Sequence, residues 1–332
     1  MRLLLLLLTV PLLATFAPIS MGKMPISPDR PSVSAEPVPL RDDAPGERRL
    51  GRLTFLGGWW LRSNQPEFGG ISAMHVSDGW VLALSDAGRV MRFVVPTRRG
   101  AAPLSLSVLP DIAGAGKKQQ DTEAIAVGDG RAWIAFERRN AVHRYRLPNW
   151  TSEATARPVA MKSWTPNSGG EAMIRLRDGR FLLFCEGRMN EAGATEVLLF
   201  DGDPALMATR TTLLRYRPPA GYRITDAAEL PDGRLLFLNR RFGLLEGFTA
   251  KLTLSDRPAL SAGAVLGGRE IAHFAPPVTT DNYEALSIGT ERGRTILWIA
   301  SDDNFLELER TLLMKFALDE AVTPAEAGVS GR

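Results

Sequence analysis

The stretch "DTEAIAVGDGRAWIAFERR", residues 121–139, places two short apolar runs on either side of an Asp-Gly pair. Asp-Gly between apolar runs favours a tight β-hairpin, because both turn positions favour positive φ. Similar stretches occur four more times, and the last of them replaces Asp-Gly with the longer turn "TERGRT"; they are residues 70–88, 169–188, 224–242 and 281–305. The chain therefore repeats one kind of hairpin five times.

The spacing of these hairpins indicates the fold. When they are anchored at Ser72, Glu123, Glu171, Asp226 and Glu284, the separations are 51, 48, 55 and 58 residues. Each interval has room for two more strands, and a four-stranded unit repeated at about this period is typical of a β-propeller. We predict an all-β propeller with five four-stranded blades, or alternatively six. The N-terminal strand is expected to complete the last blade and so remove a sheet edge.

The segments that flank the repeats have other compositions. Residues 1–22 combine one Arg with an apolar stretch, which predicts a signal peptide or an N-terminal anchor and hence a periplasmic or secreted protein. Residues 23–48 are rich in Pro and charge and are interpreted as a linker without packed structure. The propeller domain is assigned to residues 49–318, and residues 319–332 are interpreted as a flexible tail.

Composition and missing motifs exclude several functions. The formal net charge of +3 is dispersed along the chain, which argues against nucleic acid as a partner. No Gly-x-Ser-x-Gly, phosphate-loop or dinucleotide motif is present, and the three histidines lack partners at the spacing of zinc ligands. No segment after residue 22 is long and apolar enough to cross a membrane, and the closed ring predicts a monomer.

Polar residues recur at the open end of each hairpin. Residues equally far from a hairpin turn face each other, which pairs Ser72 with Asp86, Glu123 with Glu137, Glu171 with Glu186, Asp226 with Arg240, and Glu284 with Asp302. If these hairpins form the inner strands, their open ends converge on one mouth of the central channel. So much negative charge requires pairing with Arg or a bound cation, and carboxylate ligands favour Ca²⁺ or Mg²⁺. The residues alone leave both possibilities open.

Several motifs carry a resemblance to a known family. The sequences "FGGISAM", "DTEAIAV", "NSGGEAM", "YRITDAAELPDGRLLFLNRRF" and "DNYEALSI…SDDNF" resemble the phytase-like family described by an esterase-like activity. The resemblance extends from about Leu50 to Phe316. It implies an exported bacterial β-propeller with acidic residues around one mouth, and hydrolysis of a small anionic substrate such as a phosphate ester.

This resemblance leads to a hypothesis for the site. Five carboxylates would hold Ca²⁺, with Mg²⁺ as the alternative ion: Glu123, Glu171, Asp226, Glu284 and Asp302. The cations expected to bind phosphate are Arg138, Arg188, Arg240 and Arg241. Glu137 or Glu186 would act as the catalytic general base. The alternative is a non-catalytic binding or scaffold propeller with a structural cation, and a sugar-active propeller is a more remote possibility.

Overall fold

A computed structural model describes residues 30–114, 120–166, 168–187, 189–306 and 308–319. The predicted signal peptide, the first part of the predicted linker, and the tail beyond Asp319 lie outside the described residues. Arg188, one of the predicted phosphate-binding residues, also lies outside them. Among the described residues, no helix has the length and apolar character needed to cross a membrane.

The described secondary structure consists of strands and two short 3₁₀ turns. Three strands precede the first repeated hairpin: β1 Ser32–Pro37, β2 Arg49–Leu50 and β3 Leu53–Ser63. The next eight strands form two antiparallel units, called blade one and blade two: β4 Ile71–Ser77, β5 Trp80–Ser85, β6 Arg89–Val94, β7 Gly100–Val108, β8 Thr122–Gly128, β9 Arg131–Phe136, β10 Ala141–Arg146 and β11 Thr151–Ala156. The 3₁₀ turns are Pro110–Ile112 and Val159–Met161.

Three further units follow in chain order. Blade three comprises β12 Gly170–Arg175, β13 Phe181–Cys185, β14 Thr195–Phe200 and β15 Thr211–Tyr216. Blade four comprises β16 Arg223–Glu229, β17 Leu235–Gly243, β18 Gly247–Leu254 and β20 Arg269–Phe274, with the short β19 Val265–Leu266 pairing in parallel with β15. Blade five comprises β21 Tyr283–Glu291, β22 Arg294–Ser301, β23 Leu312–Leu318 and the N-terminal β3.

These units have the arrangement of a β-propeller, which confirms the predicted fold class. The first strands of neighbouring units contact each other in the closed cycle β4, β8, β12, β16, β21 and back to β4. Strand β3 pairs antiparallel with β23, from Leu53 opposite Leu318 to Trp60 opposite Leu312. The chain therefore brings its N-terminal strand beside its last one, which closes the ring without leaving a free edge there.

Strand β1 lies in the segment that was interpreted as a linker without packed structure. It pairs antiparallel with both β3 and β7 and so joins the outer strands of blades five and one. Val33 and Ala35 are buried, and their alternation with exposed residues is that of a half-buried strand. Proline content concealed this pattern, because Pro31 and Pro37 flank the strand at its ends, where a missing N–H does not break a ladder.

A β-bulge recurs near the start of the first strand of every blade. The pairing with the second strand skips one residue at the same place in each unit: Ser72, Glu123, Glu171, Thr225 and Glu284. A bulge kinks its strand and redirects the side chain of the extra residue. The second strand of each blade brings one residue to the same level, just past the strand in four blades and within the longer β17 in blade four: Asp86, Glu137, Glu186, Arg240 and Asp302. The repeat therefore places two rows of polar side chains at one end of the channel.

Candidate active site at the acidic ring

Seven carboxylates gather at this end of the channel, and we call them the acidic ring: Asp121, Glu123, Glu137, Glu171, Glu186, Glu284 and Asp302. The negative charges of these side chains act on one another, as the pKa of Glu123 illustrates. Burial, followed by the charges of Glu171 and Glu284, raises the pKa of Glu123 well above its usual range. The three glutamates come from blades two, three and five, so the bulges bring distant parts of the sequence into one electrostatic unit.

The tightest group in the ring belongs to blade two. Asp121, Glu123 and Glu137 each offer an oxygen, and these oxygens all lie within 4.8 Å of one another. Asp121 and Glu137 are buried. Burial and the neighbouring Asp121 raise the pKa of Glu137 to about 7. Three converging carboxylates are a donor set that fits a hard divalent cation, because such ions prefer oxygen ligands.

Two contacts between carboxyl groups show the same excess of negative charge. Glu137 and Glu171 lie close enough for each to affect the pKa of the other, and the same holds for Glu284 and Asp302. Ionised carboxylates at such separations repel each other, so a retained proton or a bound cation would relieve each pair. Burial and Glu284 together raise the pKa of Asp302 well above its usual range.

Arg240 compensates the charge on the other side of the ring. Its Nη1 donates to Oδ1 of Asn282 at 2.7 Å and lies 3.3 Å from Oε1 of Glu284. Its Nη2 lies 3.7 Å from Oε1 of Glu186. The second carboxylate oxygen of Glu186, Oε2, lies 3.5 Å from Nη1 of Arg223. Blades three, four and five therefore meet around one guanidinium.

Comparison with known proteins identifies the family. The profile described as "Phytase-like: Esterase-like activity of phytase" matches residues 66–305, which is most of the chain. The chain belongs to this phytase-like family. The resemblance drawn from the repeated motifs is thereby confirmed, and membership suggests a hydrolase with esterase-like activity on a propeller fold.

Several solved structures align with the phytase-like chain. Glutaminyl cyclase of Myxococcus xanthus is 10% identical, with a TM-score of 0.47, and the alignment covers 82% of this chain and 100% of that one. An exo-1,5-α-L-arabinanase from a bovine ruminal metagenomic library is 12% identical, with a TM-score of 0.45 and coverage of 74% and 91%. A luciferin-regenerating enzyme is 11% identical, with a TM-score of 0.45 and coverage of 85% and 95%. No curated protein matches the chain.

The ring of the phytase-like protein does not include Asp226, which was expected to be a metal ligand. Its two oxygens accept the backbone N–H groups of Leu286, at 2.7 Å, and of Ala227, at 2.8 Å. Burial raises its pKa, and no charged neighbour contributes to the shift. The bulge of blade four falls on Thr225, one residue earlier than the sequence anchor, so Asp226 turns to the other side of the strand and links blade four to blade five.

The predicted phosphate-binding arginines are divided between two environments. Arg240 lies in the ring, and Arg138 lies at its margin, with Nε 2.5 Å from Oδ2 of Asp121. Arg241 is turned away, because successive residues of a strand point to opposite faces. It pairs with Glu246 in its own hairpin, and its guanidinium lies 5.3 Å from the ring centre of Tyr222.

Arg223 and Asn282 join the site although the sequence did not predict them there, and Asp121, which the hairpin geometry does predict at this mouth, occupies the equivalent position in blade two. Asp121, Arg223 and Asn282 lie opposite Glu137, Arg240 and Asp302, at equivalent places in blades two, four and five. Asn282 is fully buried, and its Nδ2 donates to Oε1 of Glu284 at 3.0 Å. Each of the three precedes the bulge residue of its strand by two; the repeat alignment gives this position for Asp121 and Asn282, whereas Arg223 lies three residues before the anchor Asp226.

A groove of about 830 Å³ lies elsewhere, near the Asp78-Gly79 turn at the opposite end of the hairpins. Its walls come from blades one and two and include Trp80, Trp150 and Arg92. Arg92 stacks on Trp80 with its guanidinium carbon 3.9 Å from the ring centre. None of the carboxylates of the acidic ring lines this groove. The acidic ring and this groove are therefore separate features of the protein.

Proposed function

We propose that this phytase-like protein is an exported, metal-dependent hydrolase of phosphate esters that acts at the acidic ring. The observation that carries the proposal is the group formed by Asp121, Glu123 and Glu137, with oxygens within 4.8 Å of one another. Burial and neighbouring carboxylates raise the pKa values of Glu123 and Glu137, so the folded protein holds these two groups where their ionisation is opposed. Such an arrangement is typical of functional sites, where groups are placed for binding at a cost in stability.

We assign the metal to these three residues and propose Ca²⁺, with Mg²⁺ as the alternative. A divalent cation bound there would lower the pKa of a water ligand and polarise a phosphoryl oxygen. Glu171 and Glu284 lie close enough to Glu123 to shift its pKa, and they border the same space. Glu137, expected from the sequence as a general base, is proposed instead as a ligand, because its carboxyl oxygen belongs to this metal group.

The remaining residues of the ring supply binding and proton transfer. Arg240 and Arg223 are positioned to donate to phosphate oxygens, and their long contacts with Glu186, 3.5 Å or more, leave N–H groups free for an anion. Glu186 lies outside the metal group and is proposed as the acceptor of the proton from water. Hydrolysis forms a bond between the water oxygen and phosphorus, breaks the bond to the ester oxygen, and leaves the alcohol protonated.

A non-catalytic propeller with a structural cation is the second candidate. It is favoured by the contacts of Arg240 with Glu284, Asn282 and Glu186, which already compensate one side of the ring without any ligand. Both candidates bind a metal, but only the hydrolase turns over a phosphate ester.

The test combines thermal unfolding with activity. Full-length protein is melted in EDTA and then in Ca²⁺ at about 100 times its Kd, where binding stabilises by about 2.7 kcal/mol and raises the Tm by about 5 °C or more. Hydrolysis of p-nitrophenyl phosphate is measured in the same buffers. We expect the Tm shift and Ca²⁺-dependent turnover in the wild type, and loss of both in Glu123→Gln.

Glu291→Gln is the matched control, because it removes a carboxylate at the other end of blade five. It should keep both the shift and the activity. A Ca²⁺ shift without turnover of any phosphate ester would support the structural cation, and no shift with either Ca²⁺ or Mg²⁺ would refute both candidates.

A further inference from the structure

The most exposed apolar side chains of the described residues lie next to the acidic ring. Leu244, Leu245 and Leu308 are 94%, 101% and 98% exposed. Phe242 and Leu306 are also exposed. We call these five residues the apolar rim. Isolated apolar side chains on a surface need no explanation, but a group of them marks an interaction site.

The rim arises from two loops that extend beyond the ring. Strands β17 and β18 remain paired as far as Gly243 opposite Gly247, three residues past Arg240. At about 3.3 Å per residue, the hairpin tip projects about 10 Å beyond the guanidinium end of the strand. The second loop joins β22 to β23 in blade five and carries Leu306 and Leu308.

Contacts connect the rim to the ring. The rings of Phe242 and Phe248 are 5.0 Å apart, and the guanidinium carbon of Arg240 is 5.9 Å from the centre of Phe248. In blade five, the charge of Arg240 acts on Glu309, one residue after Leu308. The apolar surface therefore begins where the charged surface ends.

The other side of the mouth is different. Between their second and third strands, blades one and two have only the short connections 86–88 and 137–140. The connection in blade two carries Arg138 and Arg139 beside the proposed metal group. In the cycle of first strands, blade two is a neighbour of blades one and three and lies across the ring from blades four and five. The loops around the mouth thus carry exposed apolar side chains on blades four and five, and arginines on blade two.

We propose that the ligand of the acidic ring is a phosphate monoester with a long hydrocarbon chain, whose phosphate lies in the ring and whose chain lies on the apolar rim. This inference rests on the proposed function and narrows its substrate class. A purely polar phosphate ester would leave the rim in water, whereas an alkyl chain of suitable length covers it and gains affinity with each methylene that it removes from water. Pairing of Arg241 with Glu246 removes net charge from the hairpin tip and makes it compatible with such a chain.

The test measures binding, so it does not depend on turnover. Full-length protein in Ca²⁺ buffer is titrated calorimetrically with butylphosphonate and dodecylphosphonate, both below their critical micelle concentrations. We expect dodecylphosphonate to bind at least about tenfold more tightly. The double variant Leu244→Ser/Leu245→Ser should reduce this ratio to about threefold or less.

The matched control is Leu206→Ser/Met207→Ser. These residues are also exposed, but they lie in the loop at the opposite end of blade three. The control should keep the preference for the long chain. Equal affinity of the wild type for the two phosphonates, or equal loss of preference in both double variants, would overturn the proposal.

Other outcomes separate this inference from the proposed function. Preferential binding of dodecylphosphonate without hydrolysis of dodecyl phosphate would refute the hydrolase and retain the chain site. Hydrolysis at a rate that does not depend on chain length would support the hydrolase and refute the chain site. If the protein sediments with pure phosphatidylcholine vesicles but binds the two phosphonates equally, the occupant of the rim is a lipid surface and the proposal is overturned. Self-association abolished by the rim variant would overturn it in favour of a second copy of the chain.

Discussion

Glu123 and Asp226 lie at adjacent positions of the repeated first strand, but they have different roles. Glu123 sits on a bulge, has no hydrogen bond or ion pair to another described residue, and is surrounded by like charges. Asp226 sits one place after a bulge, and both of its oxygens are occupied by backbone N–H groups. A shift of one residue along a strand therefore decides whether an acid faces the channel or binds two blades together.

Substitution should separate these roles. Asp226→Ala leaves the N–H groups of Leu286 and Ala227 buried without acceptors, and should lower the free energy of unfolding by about 3 kcal/mol. Glu123→Ala removes a carboxyl group that Glu171 and Glu284 repel, so it should not lower the free energy of unfolding in EDTA. Urea unfolding in EDTA and in Ca²⁺ measures both effects. The Ca²⁺ stabilisation should persist in Asp226→Ala and vanish in Glu123→Ala, and the opposite pattern would make Asp226 the ligand.

At the scale of the element, β1 shows how a few residues join blades that the repeat alone does not join. It lies between β3 of blade five and β7 of blade one, and thereby makes one continuous sheet of their strands. Val33 and Ala35 pack against Trp59, Leu61 and Leu104 in the same core cluster. The strand thus protects the outer edges of two blades from pairing with other chains.

This role of β1 can be tested with adjacent residues. Val33→Asp buries a charge without a partner and should lower the free energy of unfolding by about 3 kcal/mol. Ser34→Asp places the same charge on the exposed face of the strand and should change it by about 0.5 kcal/mol or less. Chemical denaturation of both full-length variants gives the comparison. Equal stability of the two variants would show that β1 does not contribute to the folded core.

At the scale of the whole molecule, closure of the ring gathers charge that no single blade contains. Burial and repulsion raise the pKa values of Glu123, Glu137 and Glu171, so the folded state binds more protons than the unfolded chain. Stability without metal must then fall as pH rises from the unfolded value near 4.5 through the folded value, about 7 for Glu137. A cation that keeps these groups ionised in the folded state removes this dependence.

The expected result is a lower free energy of unfolding at pH 8 than at pH 5 in EDTA, with a smaller decrease in Ca²⁺. Glu137→Gln should reduce the decrease in EDTA, because the substituted group no longer releases a proton in this window. The difference between wild type and variant cancels the contribution of other groups such as His75, whose pKa is lowered by burial. Urea unfolding at the two pH values provides the measurement. Identical pH dependence in wild type and variant would contradict the repulsion inferred for the ring.

The amino-acid sequence is sufficient to predict the fold class, the closure by the N-terminal strand, and the pairs Glu123–Glu137, Glu171–Glu186 and Glu284–Asp302. These features follow from local rules, because a hairpin turn and strand alternation dictate which residues face each other. The tertiary structure decided the rest. It placed Asp226 on the other face, brought Arg223 and Asn282 into the site, and inserted β1 between two blades. A bulge position and contacts between blades depend on residues about 50 or more apart, and composition or spacing carries little information about them.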